Sequence, residues 1–281
     1  MRWQGRRQSD NVEDRRGIRI SKKAGIGGGI GTIIIALIVL LLGGDPSDIL
    51  FMQQNDSSQA SLSEERSYQT SPEEDKMAQF VAVVLADTED VWNEIFSQSG
   101  LTYREPKLVL FSQAAQSACG FAQSATGPFY CPGDEKVYID LDFLQQLQDR
   151  LGAQGDFAVA YIIAHEVGHH VQNLLGTLDK YNRAKAGRSQ KQANALDVKV
   201  ELQADFYAGI WAHYAQKTKN ILEEGDIEEA MNAAEAVGDD RIQKQSQGYV
   251  VPDSFTHGTS AQRMKSFQTG FKTGDLSLGE I

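Results

Sequence analysis

Between Lys23 and Asp45 runs AGIGGGIGTIIIALIVLLLGG, twenty-one residues without a charge. No other stretch constrains the chain as strongly. At a rise of 1.5 Å per residue a helix of this length spans about 31 Å, close to the ~30 Å hydrocarbon core of a bilayer. The run therefore reads as a transmembrane anchor over residues 24–44. Residues 1–23 carry eight basic and three acidic side chains, and an excess of Lys and Arg on one flank places that flank in the cytoplasm. Such a tail also suits anionic lipid headgroups. The run ends LLLGGDPSD, with no small-x-small cleavage pattern and no cysteine for lipid attachment, so an uncleaved anchor fits better than a signal peptide. The expectation is a single-pass protein of the cell inner membrane, N-terminus cytoplasmic, with everything after Gly44 periplasmic or otherwise outside the cytoplasm.

The 281 residues, 41% of them hydrophobic, are enough for one or two domains with a real core. A formal charge of −11 argues against a nucleic-acid partner, because phosphate contacts need clustered Lys and Arg. Two cysteines are too few for a disulfide-dense scaffold or a four-Cys zinc site. Residues 45–70, rich in Ser, Gln and Asp, read as a linker. Folded structure is expected over 71–281, opening with Ser71-Pro72-Glu73-Glu74. That tetrapeptide offers an N-cap, a proline at the first helical position and a carboxylate three residues after the cap. Met77, Phe80, Val81, Val84, Leu85, Val91, Trp92, Ile95 and Phe96 then recur at helical spacing. KLVLF (107–111) and KVYID (136–140) read as strands, and 141–151, 157–175, 192–217 and 226–246 as helices. The pattern predicts an α+β domain, mostly helical with a small sheet.

The chemistry lies in the third of the expected helices. His165-Glu166-Val167-Gly168-His169 matches H-E-x-x-H, and residues four apart on a helix share a face. His165 and His169 would aim two imidazoles at one point, an arrangement suited to Zn²⁺, with Glu166 beside them as general base. His170 points off that face and reads as a packing or surface residue. A catalytic zinc keeps three protein ligands and one open position. No histidine follows at the extended-motif spacing, where Leu175 stands, so the third donor should be a downstream carboxylate. Glu201 in DVKVELQADFYAGIW is the best candidate. Asp205, one turn on among apolar neighbours, would orient a zinc-bound imidazole through its other ring nitrogen. Asp197 remains an alternative, whereas Glu235 and Asp239, at the same spacing in an acid-rich stretch, read as a solvated face.

HEVGH followed by ELQAD resembles the gluzincin branch of zinc metallopeptidases. The whole chain is similar to a bacterial, membrane-anchored family of neutral zinc metallopeptidases. The shared features are the opening MRWQGRRQSDNVEDRRG, the single anchor, GPFYCPGDEKVYIDLDF, HEVGHHVQ, ELQADFYAG and SFTHGTSAQR. The resemblance implies a zincin-like fold, a peptide or protein substrate, and an oxyanion-binding role for His257, which could instead be a loop histidine beside the helix starting near Ser260. It also suggests that substrate pairs as an added strand along Val137–Ile139, the competing possibility being an internal strand. Arg263 is expected to brace the loop of His257 by an ion pair with Asp205 or another carboxylate.

Cys119 and Cys131 flank a short segment with Gly and Pro turn signals. In an oxidising compartment a bridge between them would stabilise by ~3 kcal/mol in the chain-entropy model, and two free thiols are the alternative. These features together predict a membrane-anchored zinc endopeptidase that hydrolyses peptide bonds with a zinc-activated water. The alternative is a zinc-binding but proteolytically silent chaperone-like or binding module, since motif residues do not prove turnover.

Overall fold

The computed structural model describes residues 1–18, 70–123, 127–144 and 155–280. The expected anchor 24–44 and nearly all of the expected linker lie outside the described residues. Among the described residues no helix is long and apolar enough to cross a membrane.

The strands are β1 (Val12–Asp14), β2 (Lys107–Phe111), β3 (Ala114–Ser117), β4 (Gly120–Gln123), β5 (Phe129–Cys131) and β6 (Lys136–Asp140). The α-helices are α1 (Pro72–Gln98), α2 (Asp156–Leu174), α3 (Thr177–Lys185), α4 (Gln190–Lys219), α5 (Asp226–Ala236), α6 (Asp239–Gln247) and α7 (Ser260–Thr273). Helices dominate, and the sheet is small, with strand order β1-β2-β6-β5. β1, β2 and β6 run parallel, while β5 is antiparallel to β6.

Alternation along the strands divides the interior. Leu108, Leu110, Val137 and Ile139 join the helical core, whereas Val109, Phe111 and Tyr138 turn to a smaller cluster with Ala115 and Cys131. Strands buried on both faces read as continuous apolar runs, which is why KLVLF and KVYID are legible without alternation of polarity. α1 starts with the full capping box at Ser71 and Glu74.

Four sequence expectations change. First, β6 is internal, lying between β2 and β5, so Val137–Ile139 offers no free edge and β5 is the edge strand on that side. Second, the stretch 226–246 is broken into α5 and α6 at Gly238. A Cβ there would stand 2.4 Å from the backbone nitrogen of Ser260, so the close approach of α7 requires glycine and a turn. Third, β1, the β3–β4 hairpin, β5 and α3 were not foreseen, being short or polar. Helical residues begin at Leu141 as expected, but 145–154 lie outside the described residues.

Fourth, residues 1–18 of the basic opening segment are not a separate tail. Trp3 packs edge-on against Phe80 of α1 with ring centroids 5.5 Å apart, and β1 adds to the sheet beside β2. Arg6 pairs with Asp87 at 2.6 Å, and Arg7 with Glu89 at 3.0 Å and Asp90 at 2.7 Å. Arg6 and Arg7, two of the eight positive charges that resemble a topogenic signal, are thus partners of acidic groups on α1. The α-ammonium of Met1 is likewise engaged by Asp156 and Asp226.

Candidate metal centre

α2 passes through the core, with Phe157, Ile163, Val167 and Val171 fully buried. Its N-terminus has no side-chain cap at Gly155. Instead the Glu229 carboxylate accepts the Phe157 N–H at 2.9 Å. α4 crosses α2 at Gly168, where an added Cβ would lie 2.9 Å from the Ala204 carbonyl oxygen and 3.1 Å from its Cα. The glycine inside H-E-x-x-H thus admits the backbone of α4 close enough for carboxylates of the ELQAD segment to reach the two imidazoles.

His165, His169 and Glu201 converge, with one potential ligand atom from each within 4.8 Å of the others. His165 Nε2 lies 3.2 Å from one Glu201 oxygen, and His169 Nε2 lies 3.5 Å from the other. Ligand bonds of 2.0–2.1 Å at tetrahedral angles set donor–donor edges of about 3.3–3.4 Å, so this donor set fits a zinc ion. The carboxylate is held ionised: burial opposes its charge, but His169, His257 and His165 outweigh burial and take its pKa well below the ordinary value.

Each imidazole is oriented from behind. His165 Nδ1 meets Asp205 Oδ1 at 2.8 Å, and Asp205, wholly buried, also accepts Tyr161 Oη–H and the Arg263 guanidinium. Against burial, Arg263 and then His165 lower the Asp205 pKa to about 2. With Asp205 accepting, Nδ1 of His165 carries the hydrogen and Nε2 turns to Glu201. His169 Nδ1 meets Gln172 Oε1 at 2.9 Å. Gln172 in turn donates to the Val200 carbonyl at 2.7 Å and to Gln203 at 3.0 Å, and Gln203 donates to the Gly279 carbonyl at 2.6 Å. Sequence reasoning missed Gln172. Its position three residues after His169, on the same helical face, was the available signal.

Glu166 is 8% exposed. Among the described residues no hydrogen bond or ion pair engages its carboxylate. His257 sits in the loop before α7, and Asp239 fixes that loop. One Asp239 oxygen accepts the N–H groups of Thr256, His257 and Gly258 at 2.8, 2.7 and 3.0 Å. The other lies 3.3 Å from His257 Nδ1. Burial disfavours charge on His257, but the Glu201 carboxylate and then Asp239 outweigh it and raise the pKa. Asp239 is therefore no solvated face: it is 3% exposed and shapes the site. Asp197, the alternative ligand, is paired with Lys185 instead.

His170 is fully buried against Tyr103 and Tyr130. Its Nε2 meets the Arg104 carbonyl and its Nδ1 the Tyr130 hydroxyl at 3.0 Å, an arrangement satisfied by the neutral ring with the hydrogen on Nε2. Burial lowers its pKa accordingly. It joins α2 to the edge strand β5. Cys119, in the turn between β3 and β4, is bridged to Cys131 at the end of β5, which fastens the hairpin to the same strand.

The fold and the three donors define an α+β protein in which two histidines and a glutamate on two crossing helices could hold a metal ion. The chain belongs to the family described as "Putative neutral zinc metallopeptidase", which matches residues 1–280. It is 49% identical over 280 residues to "Uncharacterized protein YpfJ" of Escherichia coli strain K12, covering 98% of this chain and 96% of that protein. An uncharacterized protein of Mycobacterium tuberculosis strain H37Rv is 40% identical over 255 residues, covering 85% of this chain and 83% of its own length. No solved structure matches.

Proposed function

We propose that the protein is a zinc-dependent endopeptidase with His165, His169 and Glu201 as metal ligands and Glu166 as general base. The observation that carries this reading is the convergence of ligand atoms of His165, His169 and Glu201 within 4.8 Å of one another, beside the buried Glu166 on the helix of the two histidines. A zinc ion held by these three residues would supply Lewis acidity and would make a bound water acidic near neutral pH. Glu166 takes a proton from the water that attacks the peptide carbonyl and passes it to the amine nitrogen as the C–N bond breaks. His257, held by Asp239, donates a hydrogen bond to the carbonyl oxygen as negative charge develops on it. Asp205 and Gln172 keep both ligand imidazoles in the tautomer that presents Nε2. The outer edge of β5, braced by His170 and by the Cys119–Cys131 bridge, is the place for an extended peptide to add as a strand.

The bridge suits an oxidising compartment, which supports placing the domain outside the cytoplasm. Association with a lipid bilayer through the apolar run 24–44 belongs to the same proposal. The decisive experiment pairs zinc content by elemental analysis with cleavage of a mixed peptide library, with and without chelator. The parent should bind one zinc per chain and cleave peptides in a chelator-sensitive way. Glu166→Gln should keep zinc and lose cleavage, and a Glu166→Gln chain that cleaves like the parent refutes the mechanism. A zinc-loaded parent that cleaves nothing would instead favour the binding module.

A further inference from the structure

On either side of residues 19–69 the chain leaves and re-enters the described structure at one place. Arg16, with a side chain 6% exposed, pairs through Nη2 with Asp14 at 2.6 Å and with Asp75 at 3.2 Å. The Thr70 hydroxyl donates to the other Asp75 oxygen at 3.0 Å. Asp75 of α1 therefore ties together the residues just before position 19 and just after position 69.

The segment on the near side of that gap is built into the domain. The N–H of Arg2 donates to the Ile221 carbonyl at 2.8 Å, that of Ser9 to Ala82 at 3.0 Å, and that of Arg15 to Leu110 at 2.8 Å. Leu108 N–H donates back to the Asn11 carbonyl at 2.9 Å. Met1 and Trp3 lie in the main core. Asp87, 2% exposed, is shared by Arg6 from the opening segment and Lys219 from the end of α4. Removing the opening segment would leave that carboxylate short of a partner and strip an outer strand from the sheet.

This packing bears on the apolar run. A single crossing by 24–44 would set residues 1–18 and 70–280 on opposite faces of a bilayer, where none of these contacts can form. The chain between the run and Thr70 holds Asp45, Asp48, Asp56, Glu64, Glu65 and Arg66, and charges at that density do not recross hydrocarbon. We propose that Met1–Gly17 and the metal-site domain occupy the same compartment. Of the eight basic residues behind the positive-inside argument, Arg6, Arg7, Arg15 and Arg16 are held in ion pairs within the domain. This inference is independent of the zinc chemistry, and a metal-free chain should behave identically.

Cysteine accessibility in the full-length protein tests it. Gln8→Cys and Lys272→Cys, both at exposed positions, are made in separate chains, and the unsubstituted chain, whose two cysteines are bridged, sets the background. Cells with a permeabilised outer layer are treated with a membrane-impermeant maleimide before or after lysis. The expected result is one pattern for both positions, either labelling before lysis or labelling only after it. Labelling of one position before lysis and of the other only after it would overturn the proposal. Asp10→Cys and Ser97→Cys, also exposed, repeat the comparison at independent sites, so one poorly folding variant does not decide the outcome.

Discussion

Asp205 and Arg263 form a two-pronged ion pair inside the protein: Nε of Arg263 meets Oδ2 at 2.8 Å, and Nη2 meets Oδ1 at 2.9 Å. The pair joins α4 to α7 directly behind His165. It allows a carboxylate with no solvent exposure to remain charged, and that charge holds the imidazole in the orientation the site needs. A guanidinium fork matches both oxygens at once, which an ammonium does not.

Replacing Arg263 by Met should leave Asp205 buried with only Tyr161 and His165 as partners. Loss of one member of a buried pair costs about 3–5 kcal/mol, so the urea midpoint should fall markedly. Arg263→Lys should fall between the variant and the parent. An Arg263→Met chain that unfolds at the parent's urea concentration would show that the pair contributes nothing to stability.

The groups behind the imidazoles should govern metal affinity without being ligands. Asp205→Asn and Gln172→Ala are each expected to weaken zinc binding by about 10–100-fold, read by competition with a chromogenic chelator. Unchanged affinity in both would mean that the rings are oriented by packing alone.

Gly168→Ala probes the crossing of α2 and α4. The new Cβ meets backbone atoms of Ala204 at 2.9 and 3.1 Å, and backbone cannot rotate away as a side chain can. The helices must part, at a cost of about 1–3 kcal/mol for overpacking. Because Glu201 lies one turn from Ala204, zinc affinity should fall together with the melting temperature. A chain that keeps parental affinity and stability would contradict the close approach.

Acid should loosen the opening segment through Glu13. Burial raises its pKa, but hydrogen bonds from Lys136 and Arg15 outweigh burial and lower it from 4.5 to about 2. A carboxylate whose folded pKa is depressed stabilises the fold above its unfolded pKa and loses that contribution as pH falls through the folded one. Glu13→Gln should thus be less stable than the parent above pH about 4.5, with the difference vanishing as pH approaches about 2. Denaturation midpoints of both chains across that range provide the check. A difference that stayed constant with pH would exclude Glu13 as its source.

The long amphipathic helices, the two buried strands and the H-E-x-x-H face were legible because each is written in local periodicity. His165 and His169 share a face by helical geometry alone, and Glu201 and Asp205 stood out as carboxylates among apolar neighbours. Gln172 and Asp239 were not legible in the same way. Amides and acids are common on solvated helix faces, and only the fold shows that Gln172 supports His169 and that Asp239 organises the loop of His257. The edge strand was misassigned for a similar reason. β5 has only three residues, too few for a period to register, and it took the outer position that β6 seemed to hold.

The sequence by itself determined that His165 and His169 face one point, since residues four apart on one helix share a face, whereas Glu201 reaches them only because α4 crosses α2 at Gly168. Only the tertiary structure decided what surrounds them and where the N-terminus belongs. The arginines of residues 1–17 carry the same charge whether they face lipid headgroups or aspartates. Sequence patterning cannot tell these two partners apart, because an ion pair between residues some eighty positions apart has no local signature. It is the pairing of Arg6 with Asp87 and of Arg16 with Asp75 that draws the opening segment into the domain.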